Sequence, residues 1–579
     1  MHIRRNLGAP WLLCLAMLGG CGGGDVARLQ ASTGGLPPLA SAGEVLPLAS
    51  AGQVPPLASA GQVAPRASAT KVSFYAASRF AEQATFGPTP ALVAELQAKG
   101  FEKWIDDQLA LPAYQIDSTP ARKNGNPIPP EPYTYQKTQV QRLIMTAPDQ
   151  LRARLVWSIG QFIVVSGTKP HPVGLIEWIN MLNRQAFGRY GDLLMQVTTH
   201  PTMGQYLDNN QNRPKSAECP RCAPNENYAR ELMQLFSIGV IQLGPDGTPL
   251  RDSRGRYIET YTQTDVEQMA RVLTGWQNHF DPFTTSDGFS QYYVPMEPSS
   301  WAPDRDSGEK RVLGKVFPAG QTAPKDLDDA VALLVGHQNT APFVALRLIQ
   351  HHVKSSPSPA YVGRVAAVFR NNGSGVVGDL KAVIKAVLLD AEARAGDDPA
   401  KARADDGKIR EPALHRSAIF RALRCQRAPT NSTTGDYWLS AQPHWWAESV
   451  FSFYAPTDRA PGSNLLAPEQ KLLIASELTD RLGQLNWIRY NQTTRTNDLS
   501  AFTSAGCSLD ALIKAFTTSP KAFNDHLSQA YFRGAMPPTL RANIEQLMLN
   551  PTWDVNSPDD GALRLLQFAL ATPYFGVIQ

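Results

Sequence analysis

The sequence predicts a mainly α protein: a large multi-helix globular body with small β-hairpin insertions, behind a disordered N-terminal tether. Three observations predict it. Beyond Val72, apolar residues recur at helical spacing through most of the chain. Strand-like stretches are few and short, and lie between Gly-, Pro- and Asp-rich turns. Residues 22–69 hold no aromatic side chain and only four charged ones, Asp25, Arg28, Glu44 and Arg66, so they have nothing with which to build a core. Over all 579 residues, 43% are hydrophobic and 18% charged, which is enough apolar material for a sizeable body and excludes global disorder. Lys+Arg 55 against Asp+Glu 51 leaves a net charge of +4 with no long basic run, so phosphate neutralisation on nucleic acid has no compositional support.

The N-terminus carries the first element. Arg4 and Arg5 form a basic start, and Trp11 to Leu18 form an apolar stretch too short to span a bilayer. Leu18-Gly19-Gly20-Cys21 fits a bacterial lipobox, in which small residues give the lipoprotein signal peptidase access to the bond before a diacylated cysteine. Residues 1–20 are therefore expected to be a lipoprotein signal peptide, with Cys21 as the lipidated mature N-terminus. Three acyl chains on one residue exceed the two signals that stable anchoring needs, so the membrane is the first partner expected, through the lipid anchor. Gly22, where an Asp would retain such lipoproteins at the inner membrane, favours the outer membrane, at its periplasmic or surface face. Residues 21–70 then read as a lipidated Pro/Ala/Gly/Ser-rich linker. A nine-residue unit recurs from Pro38, Pro47 and Pro56, each time running Pro-Leu-Ala-Ser-Ala-Gly and ending in Val45, Val54 and Val63. Pro and Gly in every copy favour an extended, flexible spacer over a solenoid.

Residues 71–579 are expected to form a single large helical domain. Thr89-Pro90 reads as an N-cap and first helical residue, with Leu92, Val93 and Leu96 on one face and Gly100 as the stop. Further apolar faces run through Phe101, Trp104, Ile105 and Leu109; through Leu151, Leu155, Ile159, Phe162 and Ile163; and through Tyr228, Leu232, Leu235 and Phe236 up to Gly239. Thr264 to Glu267 has the pattern of a capping box. Segments near 325–336, 341–354, 359–371, 376–393, 411–425 and 467–487 repeat the helical theme. Val240–Leu243 with Tyr257–Thr262, and Arg311–Phe317, are the expected hairpins.

Six cysteines are present, of which Cys14 leaves with the signal and Cys21 carries lipid. In an oxidising compartment, Cys219-Pro-Arg-Cys222 reads as a local disulfide. Its spacing is half of a zinc ribbon, but no second pair follows at the required interval. Cys425 and Cys507 form a second bridge or remain as free buried thiols.

The richest polar cluster runs through Asp208, Asn209 and Asn210, then Asn225, Glu226, Asn227, Arg230 and Glu231, then Asp265. These are three short runs, each abutting a predicted helix and able to converge in one cleft. Their acid and amide oxygens suit a hard cation such as Ca²⁺, or hydrogen bonding to a sugar or peptide. Glu226, Glu231 and Asp265 are the candidates for acid/base work if burial raises one pKa. The competing reading is architectural: Asn225 caps a helix, Arg230 and Glu231 pair with other helices, and Asp265 sits in a first turn favoured by the helix dipole. His351 and His352 are adjacent on a helix and point apart, and His200 before Pro201 suits a cap. The aromatic run His444-Trp445-Trp446 with Phe451, Phe453 and Tyr454 suits core packing, with sugar stacking as the alternative. No GxSxG, HExxH, P-loop or Rossmann motif occurs in a usable context.

Several of these segments together resemble the bacterial family called domain of unknown function 1800. The likeness rests on Arg79-Phe80-Ala81-Glu82-Gln83-Ala84-Thr85-Phe86-Gly87, on His200-Pro201-Thr202-Met203 with Tyr206-Leu207-Asp208-Asn209, on Asn225 to Met233 with Phe236 to Gly239, and on Tyr261-Thr262, Asp265-Val266 and Leu273-Thr274-Gly275-Trp276. It runs from about residue 73 to about 575. The resemblance implies export but no known activity. The genes of this family often neighbour those of a sulfatase-like exported family, which implies a co-exported partner. One departure is plain: where the family usually has a His-Asp pair before Gly and Lys, this chain has Arg305-Asp306, and so lacks the histidine as a ligand or base. The expectation is an exported, lipid-anchored cell-envelope protein that binds or assembles an envelope partner or polymer. The alternative is an envelope hydrolase using the carboxylate cluster, with or without a cation.

Overall fold

Side-chain caps and early prolines punctuate the chain into helices. Ser73, Thr89, His171, His200, Thr322, Ser358, Ser519 and Ser557 each accept a hydrogen bond from a backbone N–H in the first turn of a helix. Seven of these eight helices also carry Pro at the first or second position, where its missing N–H costs nothing. In this computed structural model the residues described are 71–118, 132–279, 290–403, 406–429, 441–491, 494–553 and 555–578. The expected signal peptide, Cys21 and the repeat linker lie outside them. Among the described residues no helix is long and apolar enough to cross a membrane.

The protein is mainly α. The helix Gln150–Gly160 lies at the centre, with all of its residues buried. Around it pack Phe74–Ala84, Phe101–Ala110, Pro132–Thr146, Pro172–Gln185 and Thr340–His352. The C-terminal part adds Ala475–Arg489, Asp510–Thr518, Pro520–Tyr531, Pro538–Leu549 and Pro558–Leu570. One apolar core runs from Ala77 to Ile578 through nearly all of these helices. Sheet structure among the described residues is limited to antiparallel two-stranded pairs. Lys310–Val312 with Lys315–Phe317 forms a hairpin, and Lys408–Ile409 pairs with Val577–Ile578 close to the end of the chain.

Several boundaries differ from the sequence expectation. The capping box lies two residues earlier than Thr264: Thr262 Oγ1 accepts from the Asp265 amide while Asp265 Oδ2 accepts from the Thr262 amide, so the helix is Gln263–Val272. The helix expected through Ile163 ends at Gly160, and the one expected over 376–393 breaks at Asp390, whose carboxylate caps a new short helix, Ala391–Ala395. A 3₁₀ turn, Pro468–Leu472, precedes a helix that begins only at Ala475. Between Val240 and Thr260 the backbone forms isolated bridges, Ile241 to Glu259 and Arg251 to Tyr257, and no continuous ladder.

The core also holds charge. Glu82 accepts from Arg410 at 2.6 Å and from Arg533 at 2.9 Å; Lys408 meets Glu469 at 3.1 Å; and Glu477 lies between Arg416 and Arg481. Glu411 accepts from Trp157 Nε1, Gln442 Nε2 and the Tyr454 hydroxyl, and is wholly buried. These partners fix how distant segments dock, since any other arrangement would strand a buried charge.

Cys425 and Cys507 are disulfide-bonded across 82 residues. Replacing both with Ser is expected to lower the unfolding free energy by about 2–4 kcal/mol, because the unfolded chain regains the entropy of that loop. Urea titration of the two forms measures it, and a difference under about 0.5 kcal/mol would mean that the surrounding helices already hold the two segments together.

Candidate functional site

The polar cluster is assembled from three backbone segments. Helix Pro201–Tyr206 ends in a loop where Asp208 and Gln211 both adopt left-handed backbone, φ 58° and 59°, on either side of Asn209 and Asn210. Two such non-glycine residues in four are a strained turn, tolerated because the loop is held from outside. It is clamped to the strand-like segment around Trp276. The Gln211 amide donates to the Trp276 carbonyl at 2.8 Å, the Gly275 amide to the Asn212 carbonyl at 2.9 Å, and the Asn278 amide to Asn210 Oδ1 at 2.9 Å. The second wall is the helix Asn227–Gln234. Its approach is fixed by the Asn225 amide donating to Asn212 Oδ1 at 2.7 Å.

On the outer side the charged groups satisfy one another. Asp208 accepts from Lys169 and, at 3.2 Å, from Asn227 Nδ2. Glu226 Oε2 accepts from Arg230 and from Gln263 Nε2, both at 2.8 Å, and Arg230 also donates to Gln263 Oε1 at 3.0 Å. Asn225 Oδ1 accepts from the Asn227 amide, one residue outside the position of a helix cap, which Glu226 occupies without a side-chain bond.

The inner side is different. Glu231 is buried, and its Oε2 has no hydrogen-bond partner. Burial pushes its carboxyl up to about 7, against the opposing pull of the Arg230 charge. Burial and the nearby Glu231 together push the Tyr206 hydroxyl up to about 12, and Tyr261 is raised by the same burial. Asn209 is 1% exposed, and neither atom of its amide finds a partner. A buried group left unsatisfied costs on the order of 1–3 kcal/mol. Glu231 Oε2 and the Asn209 amide thus have hydrogen-bonding capacity unspent, as do Trp276 Nε1 and Asn278 Oδ1 in the segment that clamps the loop.

The arrangement separates the expected carboxylates. Glu226 and Glu231 are five residues apart, about 140° round the helix axis; one lies in the outer ion pair and the other faces inward. Asp265 is spent on structure: Oδ2 takes the Thr262 amide and hydroxyl, and Oδ1 takes the Leu313 amide at 2.8 Å. Burial opposes its ionisation, but the Thr262 and Leu313 amides outweigh it and hold the carboxyl below the usual range. Among the described residues no group of three or more His, Cys, Asp or Glu side chains is placed to hold a metal ion, so the Ca²⁺ reading finds no carboxylate ligand set there. Lys169, Asn212 and Gln263 were not legible as members of the site; Tyr206 had a local signal, in the string Tyr206-Leu207-Asp208-Asn209.

Other candidates fall into the core. His200 accepts the Thr202 amide through Nδ1, and burial holds it down at about 3. His352 lies 3.0 Å from both Ser158 Oγ and the Gln83 carbonyl, fully buried, so this serine–histidine contact has no access to substrate. The rings of Trp445 and Trp446 sit where β-carbons at Gly160 and Gly167 would fall, which makes them packing groups. Arg305, in place of the histidine, donates to the Val272 carbonyl at 2.7 Å, to the Thr274 carbonyl at 2.8 Å and to buried Asp326, which also takes Lys310 at 2.8 Å. Cys219 and Cys222 are disulfide-bonded in the loop that leads to Asn225.

A family model described as "Protein of unknown function (DUF1800)" matches residues 79–577 of the chain. No curated protein and no solved structure matches it.

Proposed function

The chain belongs to the DUF1800 family, and on that premise we propose that it is an exported, lipid-anchored cell-envelope protein whose helical body binds an envelope partner or polymer at the Glu231 cleft. The observation that carries the reading is the set of unspent buried groups, Glu231 Oε2 and the Asn209 amide, with Trp276 Nε1 and Asn278 Oδ1 in the adjoining segment, beside an outer face whose charges are already paired. Such groups recover their lost hydrogen bonds when a ligand supplies donors and acceptors. A sugar hydroxyl or a peptide amide offers both. Catalysis by a carboxylate pair is the less supported alternative, because Glu226 is held in the outer ion pair away from Glu231.

Two measurements test this. In cell fractionation, Cys21→Ser is expected to move the protein from the membrane pellet to the soluble envelope fraction; retention in the pellet would refute the lipid anchor. For the cleft, the full chain is incubated with purified envelope polymers and sedimented. Wild type is expected to co-sediment with one of them, and Asn209→Ala with Glu231→Ala to lose at least nine-tenths of that retention at equal folded protein. Release of soluble fragments by wild type that ceases in Glu231→Gln would replace binding with hydrolysis. A co-exported sulfatase-like protein is the partner to try next, by cross-linking.

A further inference from the structure

A pocket of ≈ 420 Å³ lies between the helix Ala475–Arg489 and the C-terminal segment Leu570–Val577. That volume falls in the range of small-ligand sites. Its rim is apolar and open. Leu478 and Leu482 line it while remaining 47% and 65% exposed, and Ile474, one turn earlier on the same flank, is 50% exposed. Leu478 and Leu482, at i and i+4 on this helix, with Ile474 at its N-cap, leave an uncovered apolar flank.

The inner end is polar and built. His415 lines the pocket fully buried, and its ring nitrogens meet no partner at hydrogen-bonding geometry, with the Leu570 carbonyl beside it. Arg481 is held by Nε on Glu477 and by Nη2 on the Arg410 carbonyl, each at 2.8 Å. Its Nη1 takes part in neither bond and faces the pocket wall, 3.9 Å from where a β-carbon at Gly576 would stand. Arg416 and Arg481 share Glu477, and Arg416 also meets Asp480, while Arg410 and Arg533 share Glu82. Burial, then the Arg481, Arg416 and Arg410 charges, keep His415 neutral, so it can accept or donate a hydrogen bond without adding charge.

We propose that this pocket binds a single-chain acyl carboxylate, its tail along Leu478 and Leu482 and its head group on Arg481 Nη1. An unpaired guanidinium nitrogen beside an apolar trough complements a ligand that is charged at one end and apolar along its length. A polypeptide fits less well. It brings an amide and a carbonyl at every residue, and the lining offers few polar side chains: His415, Arg481 and Thr572, whose hydroxyl already donates to the Ala569 carbonyl. The assignment is independent of what the Glu231 cleft binds.

The test is calorimetric titration of dodecanoate, below its micelle concentration, into the detergent-free full chain carrying Cys21→Ser, so that no acyl chains of its own compete. One dodecanoate per chain is expected. Dodecan-1-ol should bind at least 10-fold more weakly, because it lacks the charge that Arg481 reads. Leu478→Glu, at an exposed position that leaves folding intact, should weaken dodecanoate at least 10-fold. The proposal is overturned by absence of binding, by equal affinity for the alcohol, or by a Leu478→Glu variant that binds as wild type does. Self-association that Leu478→Glu disperses, without dodecanoate binding, would assign the trough to a second copy of the chain.

Discussion

Glu82→Gln is expected to destabilise the body by about 3–5 kcal/mol, the cost of leaving buried charges unpaired. Glu82 is 3% exposed and accepts from Arg410 at 2.6 Å and from Arg533 at 2.9 Å, so its loss strands two guanidinium groups at once. The comparison that makes this informative is Glu95→Gln. Glu95 meets Lys99 at 2.8 Å, much the same distance, but the two side chains are 38% and 41% exposed. Water already solvates that pair and long side chains lose entropy in holding it, so its removal should cost well under about 1 kcal/mol. Burial rather than separation decides the ranking. Chemical denaturation of the two variants reads the difference as a shift in midpoint at unchanged m value. Equal costs would mean that Arg410 and Arg533 find other partners, and that the Arg79–Gly87 segment is not pinned by its glutamate.

That segment also shows how much was legible. Arg79, Glu82 and Gln83 lie on a helix buried on almost every side, where period-3.6 reasoning looks for a polar outer face and finds none. Periodicity reported helices well wherever one stripe was apolar, as at Val93 and Leu96 or at Leu327, Val331 and Leu334. It failed at boundaries such as Gly160 and Asp390, where a cap or a turn outcompeted the apolar pattern. The family likeness was legible because its motifs are local strings. What those strings do was not, because their partners are remote: the Asn225 amide is satisfied by Asn212, Asp208 by Lys169, and the Asp265 carboxylate by the Leu313 amide 48 residues on. The polar cluster did come together around Asn209–Asn212 and the Asn227–Gln234 helix. Composition could not say which of its members would be paired and which left over, since that depends on rotations about a helix axis that only the assembled core fixes. The buried glutamate separates from the paired one for that reason alone.

The pH dependence of Glu231 is the sharpest consequence of its position. Its carboxyl titrates at about 7 in the folded chain, raised from the 4.5 of an unperturbed Glu, principally by burial. The folded state therefore holds a proton that the unfolded state has released between these two values. Stability from this group is fully present below about 4.5, is lost as pH rises toward 7, and is flat above that, with a slope no steeper than about 1.4 kcal/mol per pH unit. Glu231→Gln cannot ionise, so the wild-type minus variant difference in unfolding free energy should trace that fall, and a difference independent of pH would show the carboxyl to be solvated in solution. Binding should follow the same proton. Protonated Glu231 donates a hydrogen bond from the buried side of the cleft, and the amide of Gln donates in its place. Polymer retention by wild type is then expected to weaken through pH 7 by tenfold or more, the worth of one buried donor of about 1.4 kcal/mol. Glu231→Gln should keep the low-pH level throughout, and Glu231→Ala should stay weak at every pH. Retention that instead strengthens with pH, and vanishes in Glu231→Gln, would make the carboxylate an acceptor and turn the chemistry of the ligand toward donors such as amines or amides.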